Sequence, residues 1–176
     1  HDLTINIGPR LSGSPGAAAA VEWSRHVMER FGFDSVWLQP VMVPHWVRGQ
    51  QEVGRIISKK KGTVQVNVCA LGGSIGTGPS GIAAGVVEVK SFDELKMLGT
   101  KGVQGKIVFF NRPMDPTKID AFTAYGGAVD QRGGGAAQAV KYGAVAVLVR
   151  SMGLNQEEYP HTGGMRYAPD GEKIPA

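Results

Sequence analysis

Two short, uninterrupted apolar runs on either side of a helical stretch constrain this chain more than any other feature. "GKIVFF" (Gly105 to Phe110) and "AVAVLV" (Ala144 to Val149) flank "AAQAVKY" (Ala136 to Tyr142), and Gly143 closes the helical pattern. Apolar runs of this length without polar alternation predict strands covered on both faces, and a helical crossover between them makes them parallel. The expectation is an α/β fold built on a βαβ unit within a mixed β-sheet. Gly133, Gly134 and Gly135 stand ahead of the predicted helix and weaken its start.

The remaining chain reads around that unit. Ser14 followed by Pro15 predicts a helix start: the hydroxyl caps a free backbone N–H, and proline at the first helical position gives up no hydrogen bond. Apolar residues then recur at three- and four-residue spacing to Phe31, and Gly32 supplies the stop. "DSVWLQPVMVPHW" is extended, but Pro40 and Pro44 restrict it to an edge strand or a linker. "EVGRIIS" and the alternating Val64, Val66, Val68 and Ala70 predict a hairpin through Lys59, Lys60 and Lys61, with one face buried. "IAAGVVEVK" is a further strand, leading into Ser91 and Glu94, a capping box that opens the helix "FDELKML". The tail from Ser151 to Ala176 has no period and reads as loop.

Several function classes fail on residue content. The net charge of +4 has its only dense basic run at the lysine hairpin tip, without the aromatic partners or reading helix that nucleic-acid binding uses. No run of about 18 apolar residues predicts a membrane span. The lone Cys69 excludes an intrachain disulfide and a Cys/His zinc cluster. The histidines His1, His26, His45 and His161 form no HExxH, HxH or HxD pattern, so no metal ligand is assigned. Glu22 and His26, four apart on a helix, read as a solvated pair. "GTGPSG" at Gly76 to Gly81 is a literal GxGxxG, yet a strand-like segment follows where a dinucleotide fingerprint needs a helix. "GTKGVQGK" carries Thr100 where a phosphate loop needs glycine, and a strand follows Lys106. No GxSxG occurs, so there is no signature of a serine nucleophile, and no catalytic residue is assigned.

One stretch stays above this background. "RSMGLNQEEYPHTGGMRY" begins where the last predicted parallel strand ends, the usual place for functional loops in α/β structure. It carries Arg150, His161, Thr162, Arg166 and Tyr167 among glycines. A surface loop in which His161 and Tyr159 merely pack accounts for the same composition.

Taken together, "IGPRLSGS", "GFDSVWLQPVMVPHWVRG", "LGGSIGT", "SFDEL", "GKIVFFN", "KYGAVAVLVRS" and "PHTGGMRY" followed by "KIPA" resemble, in order, the N-terminal half of the carboxypeptidase Q-like family of two-zinc exopeptidases. The resemblance runs over nearly the whole chain. It implies that residues 1–46 are the first helix and strand of a catalytic domain. Residues 47–176 then correspond to an inserted protease-associated domain of the swivelling β/β/α type. It implies two zinc ions in the parent enzyme, held by residues further along the chain, a peptide substrate, the rest of the catalytic domain as partner, a homodimeric parent, and a secreted or periplasmic location. On that reading His161, Thr162, Arg166 and Tyr167 are the substrate-facing candidates, and Arg10 is the residue whose partner would lie outside the chain. The competing expectation is a free-standing module that binds a peptide or a protein.

Overall fold

The computed structural model describes residues 1–155 and 157–176 and divides into two compact units, His1–Gly49 and Gln50–Ala176. In the second unit the apolar runs form strands β3 (Val86–Val89), β4 (Ile107–Phe110) and β5 (Ala146–Val149), all parallel and in the order β3-β4-β5. The preceding hairpin consists of β1 (Gly54–Ser58) and β2 (Gly62–Val66), and the first unit carries helix α1 (Pro15–Arg30). The β3 to β4 crossover is α2 (Phe92–Val103). The next one carries α3 (Ala121–Gly126) and α4 (Asp130–Ala139), followed by a 3₁₀ turn over Val140–Tyr142 that Gly143 ends at φ 79°. The α/β class and the βαβ unit are therefore present, with the parallel and antiparallel pairs in separate sheets.

The core lies on one face of the parallel sheet. Val89, Val108, Phe110 and Val147 are buried there with Leu95 and Val103 of α2 and Ala136 and Ala139 of α4. Phe92 meets Phe110 edge to face, ring centres 5.6 Å apart, a favourable arrangement of the two quadrupoles. The opposite face departs from the two-sided burial expected of parallel strands: Val86 is 58% and Leu148 40% exposed.

The glycine triplet lies inside α4, where the sequence placed it ahead of the helix. The reason is tertiary: a Cβ at Gly135 would stand 2.9 Å from Cε2 of Phe110, so only glycine lets the helix sit this close to β4. Gly135→Ala sets a gain in helix propensity of about 1 kcal/mol against overpacking of about 1–3 kcal/mol. The expected result is a lowered urea midpoint; a raised midpoint would mean that the Phe110 ring yields without cost.

α2 begins as predicted, with Ser91 Oγ accepting from the Glu94 N–H at 3.1 Å. The return arm differs, because the Glu94 carboxylate accepts from Lys90 N at 2.6 Å, one residue before the cap. Gly99, at φ 55°, breaks the helix after the predicted stretch, and one more turn follows.

The hairpin pairs Ile56 with Val64 and Ser58 with Gly62, with the lysines at its tip. The buried face expected of it is not formed: Val64 is exposed and Val66, Val68 and Ala70 are half-buried, with β2 ending at Val66. Nothing in this two-stranded ribbon is covered by a second layer of core. Cys69 lies beyond the end of β2 and is half-buried.

In the first unit Ser14 caps α1 through the Ala17 N–H at 3.2 Å, Pro15 opens it, and Gly32 at φ 75° follows its end. The proline-containing segment beyond it has no strand pairing, so of the two readings the linker is the one observed. Glu22 does not pair with His26: Arg25 takes the carboxylates of Glu22 and Glu29 at 3.0 and 2.7 Å, and His26 Nδ1 meets the Glu22 carbonyl at 2.8 Å. Those carboxylates raise the Arg25 pKa further above its already high value. Arg10 is also partnered locally, its Nη1 donating to the carbonyls of Leu3 and, at 2.6 Å, Gly8.

Candidate functional site

Parallel strands present their carboxyl ends together, and here the next residues of β4 and β5 are basic: Arg112 two positions beyond Phe110, and Arg150 directly after Val149. The Arg150 N–H still pairs with the Phe110 carbonyl at 2.9 Å, so the ladder holds it beside β4. Arg112 is fixed from α4. The fully buried Gln131 accepts from Arg112 N at 3.2 Å and donates to the Arg112 carbonyl at 2.5 Å, which imitates a strand neighbour with one side chain. The guanidinium of Arg112 also pairs with Asp130.

Arg132, one turn-quarter further on α4, is held from two sides. Its Nη2 donates to the Tyr125 hydroxyl, and its guanidinium carbon lies 5.4 Å from the Tyr125 ring centre. On the other side it lies against Gly163, where a Cβ would come within 2.5 Å of Cζ.

The tail that the sequence reads as loop has little regular structure, but it is packed and tied down. Met152, Met165 and Ile174 are buried. Gly72 N donates to Gly163 O at 2.8 Å, Met165 N to Gly72 O at 2.9 Å, and Arg166 N to Gly133 O at 3.0 Å. The Val147 N–H donates to Pro175 O at 2.8 Å, so the end of the chain runs along the free edge of β5. Residue 156 of this stretch lies outside the described residues.

The four predicted residues do not converge. His161 is exposed, its N–H donates to Ser151 Oγ at 3.1 Å, and its side chain lines a small cavity with Arg132, Arg150 and Ser151. Thr162 is exposed and reaches the Ala70 carbonyl at 3.4 Å. Arg166 is exposed. Tyr167 is half-buried, with its hydroxyl donating to Ile174 O at 2.7 Å and accepting from Ile75 N at 3.0 Å, a brace between two loops. Sequence reasoning missed Arg112, Tyr125, Gln131 and Arg132. Arg112 alone carried a signal, since it sits just past the apolar run that became β4.

The loop after β4 is built on two aspartates. Asp115 accepts from the Thr117 hydroxyl and N–H, which hold its pKa below the usual carboxylate range. Asp120 caps α3 by accepting from the Thr123 hydroxyl and from the Thr123 and Phe122 N–H groups, which lower its pKa likewise. A carboxyl with a lowered folded pKa stabilises fully above its unfolded value of about 3.9 and loses that contribution as pH falls through the folded value. The protection factors of the α3 amides, which correct for the intrinsic slowing of exchange in acid, should therefore fall below about pH 3.9, and Asp120→Asn should flatten that dependence. An unchanged acid profile in the variant would contradict the cap.

Among the described residues, no group of three or more His, Cys, Asp or Glu side chains is placed to hold a metal ion. No helix among them is long and apolar enough to cross a membrane. What the site offers is cationic and polar: three arginines, a serine and a histidine around the carboxyl end of a parallel sheet, suited to holding an anion or a polar chain end.

No protein-family model matches the chain. It is 39% identical over 173 residues to carboxypeptidase Q of Bos taurus, covering 98% of this chain and 34% of that protein. Carboxypeptidase Q of Xenopus laevis is 40% identical over 169 residues, with 96% and 34% covered. The crystal structure of a peptidase M28 precursor from Shewanella amazonensis superposes with a TM-score of 0.87 at 33% identity, over 99% of this chain and 38% of the other. The chain thus spans about a third of the length of the curated relatives it matches. Along nearly its whole length the chain is similar to carboxypeptidase Q and shares the fold of part of a peptidase M28 precursor.

Proposed function

We propose that this chain is the non-catalytic portion of a zinc-dependent exopeptidase and that its second unit shapes the access of peptides to a catalytic centre carried elsewhere. One observation carries the reading: 36 to 40% identity to carboxypeptidase Q along nearly all of the chain. The two zinc ions implied by the resemblance do not fit the donors present. His161 is surrounded by arginine and serine rather than by carboxylates, and His26 is engaged with the backbone of its own helix. No step of hydrolysis is therefore assigned to residues of this chain.

On this reading residues 1–46 belong to the catalytic domain and residues 47–176 form a protease-associated domain. The exposed apolar surface of α1 and of the linker, including Phe31 and Trp37, supports a catalytic-domain remainder as the partner of the first unit. The substrate-facing surface is the loop that carries His161, Thr162 and Arg166; Tyr167 acts in it as a brace. A peptide substrate, a homodimeric parent and a secreted or periplasmic location belong to the same proposal.

The experiment is to read the coding sequence downstream of Ala176. The reading requires an HxD motif, a Glu-Glu pair, and further Asp and His codons at metal-ligand spacing. A natural stop codon at Ala176 would overturn it in favour of a free-standing peptide- or protein-binding module.

A further inference from the structure

Three arginines at the carboxyl end of the sheet each bury a guanidinium nitrogen without a hydrogen-bond partner, Arg112 Nε among them. Arg132 Nε and Arg150 Nη1 are both buried, and neither has a hydrogen-bond partner. Arg112 is neutralised by Asp130, whereas no carboxylate among the described residues pairs with Arg132 or Arg150. Both line one cavity of about 10 Å³, with Ser151 and His161 beside them. Leu71, Val149 and Met152 supply apolar wall to the same cavity.

Size and charge together select the occupant. A space of this volume admits one particle the size of a water molecule. Water would accept hydrogen bonds from the arginines but leave two half-buried positive charges uncompensated, and unpaired charge away from solvent is costly. A monatomic anion accepts the same bonds and cancels charge within the space that a single water-sized particle fills.

We propose that this cavity is a monatomic-anion site, of chloride size, bound by Arg132 and Arg150 with the Ser151 hydroxyl as an additional donor. The site is pre-organised. Tyr125 and Gly163 fix the Arg132 guanidinium, and the β4 ladder fixes the Arg150 backbone. It adds a charged contact to the packing and backbone bonds that already tie the loop carrying His161 to the sheet. The inference goes beyond the peptidase reading and stands whether or not that reading holds.

The test is a chloride titration of the whole chain at constant ionic strength, with gluconate as the replacement anion. Chlorine NMR linewidth and the Nε–H resonances of the arginines are followed. The expected result is saturable broadening together with saturable shifts confined to Arg132 and Arg150. Arg150→Gln should weaken binding roughly tenfold or more, in line with loss of a charge-assisted hydrogen bond. Arg150→Lys, which keeps the charge, should retain most of it and serves where the glutamine variant does not fold. Linear, non-saturating changes, the same titration in Arg150→Gln, or saturable binding of acetate or sulfate but not of chloride would each overturn the proposal.

Discussion

Phe110→Ala is expected to destabilise the second unit by about 3–5 kcal/mol, enough to bring a domain of ordinary stability close to unfolding. Phe110 is fully buried at the last position of the central strand, and three elements converge on its ring. Phe92 at the start of α2 meets it edge to face, and Gly135 of α4 approaches so closely that a Cβ there would stand 2.9 Å from the ring. Removing the ring leaves a cavity bounded by a helix backbone and two strands, which cannot collapse far to refill it. Equilibrium urea unfolding followed by near-ultraviolet circular dichroism reads the loss. Phe110→Leu should recover much of it, and Gly135→Ala combined with Phe110→Leu should be less damaging than Gly135→Ala alone, because the smaller side chain frees space for the new methyl. A loss below about 1 kcal/mol for the alanine variant would mean that the helices do not pack on β4 as described.

The second large effect belongs to a polar group. Gln131 is 1% exposed, and its amide satisfies both the N–H and the carbonyl of Arg112. Gln131→Leu keeps the volume but strands two backbone groups, each costing about 1–3 kcal/mol when left unmade, so a total of about 2–6 kcal/mol is expected. The asymmetry of the amide gives a control. Gln131→Glu retains an acceptor for Arg112 N when ionised but loses the donor to the carbonyl, and should fall between the wild type and the leucine variant. Stability of both, measured as urea midpoints, checks this. A leucine variant as stable as the wild type would show that Arg112 finds other partners.

The parts of the fold legible in the sequence are those set by local rules. The Ser14-Pro15 start of α1, the Ser91 cap of α2, the lysine-tipped hairpin and the βαβ unit all follow from propensity, capping and period. What was not legible depends on distant neighbours. The glycine triplet reads as a weak helix start until Phe110 is placed against Gly135. α3, six residues long and capped by Asp120, is too short to show a period. The hairpin's alternating valines promise a buried face, but burial needs a covering layer that sequence alternation alone cannot supply. The candidate loop was correctly placed at the end of β5, yet the residues that organise its surroundings, Gln131 and Arg132, come from a helix some thirty positions earlier. Nor does a sequence show that the Tyr167 hydroxyl braces two loops.

The most direct test of the central claim, that these residues shape a peptidase without supplying its chemistry, is an assay of the 176-residue chain against a panel of dipeptides with zinc added and with zinc chelated. No turnover above background is expected in either condition. Zinc-dependent hydrolysis by the wild-type chain that disappears in His161→Ala would contradict it.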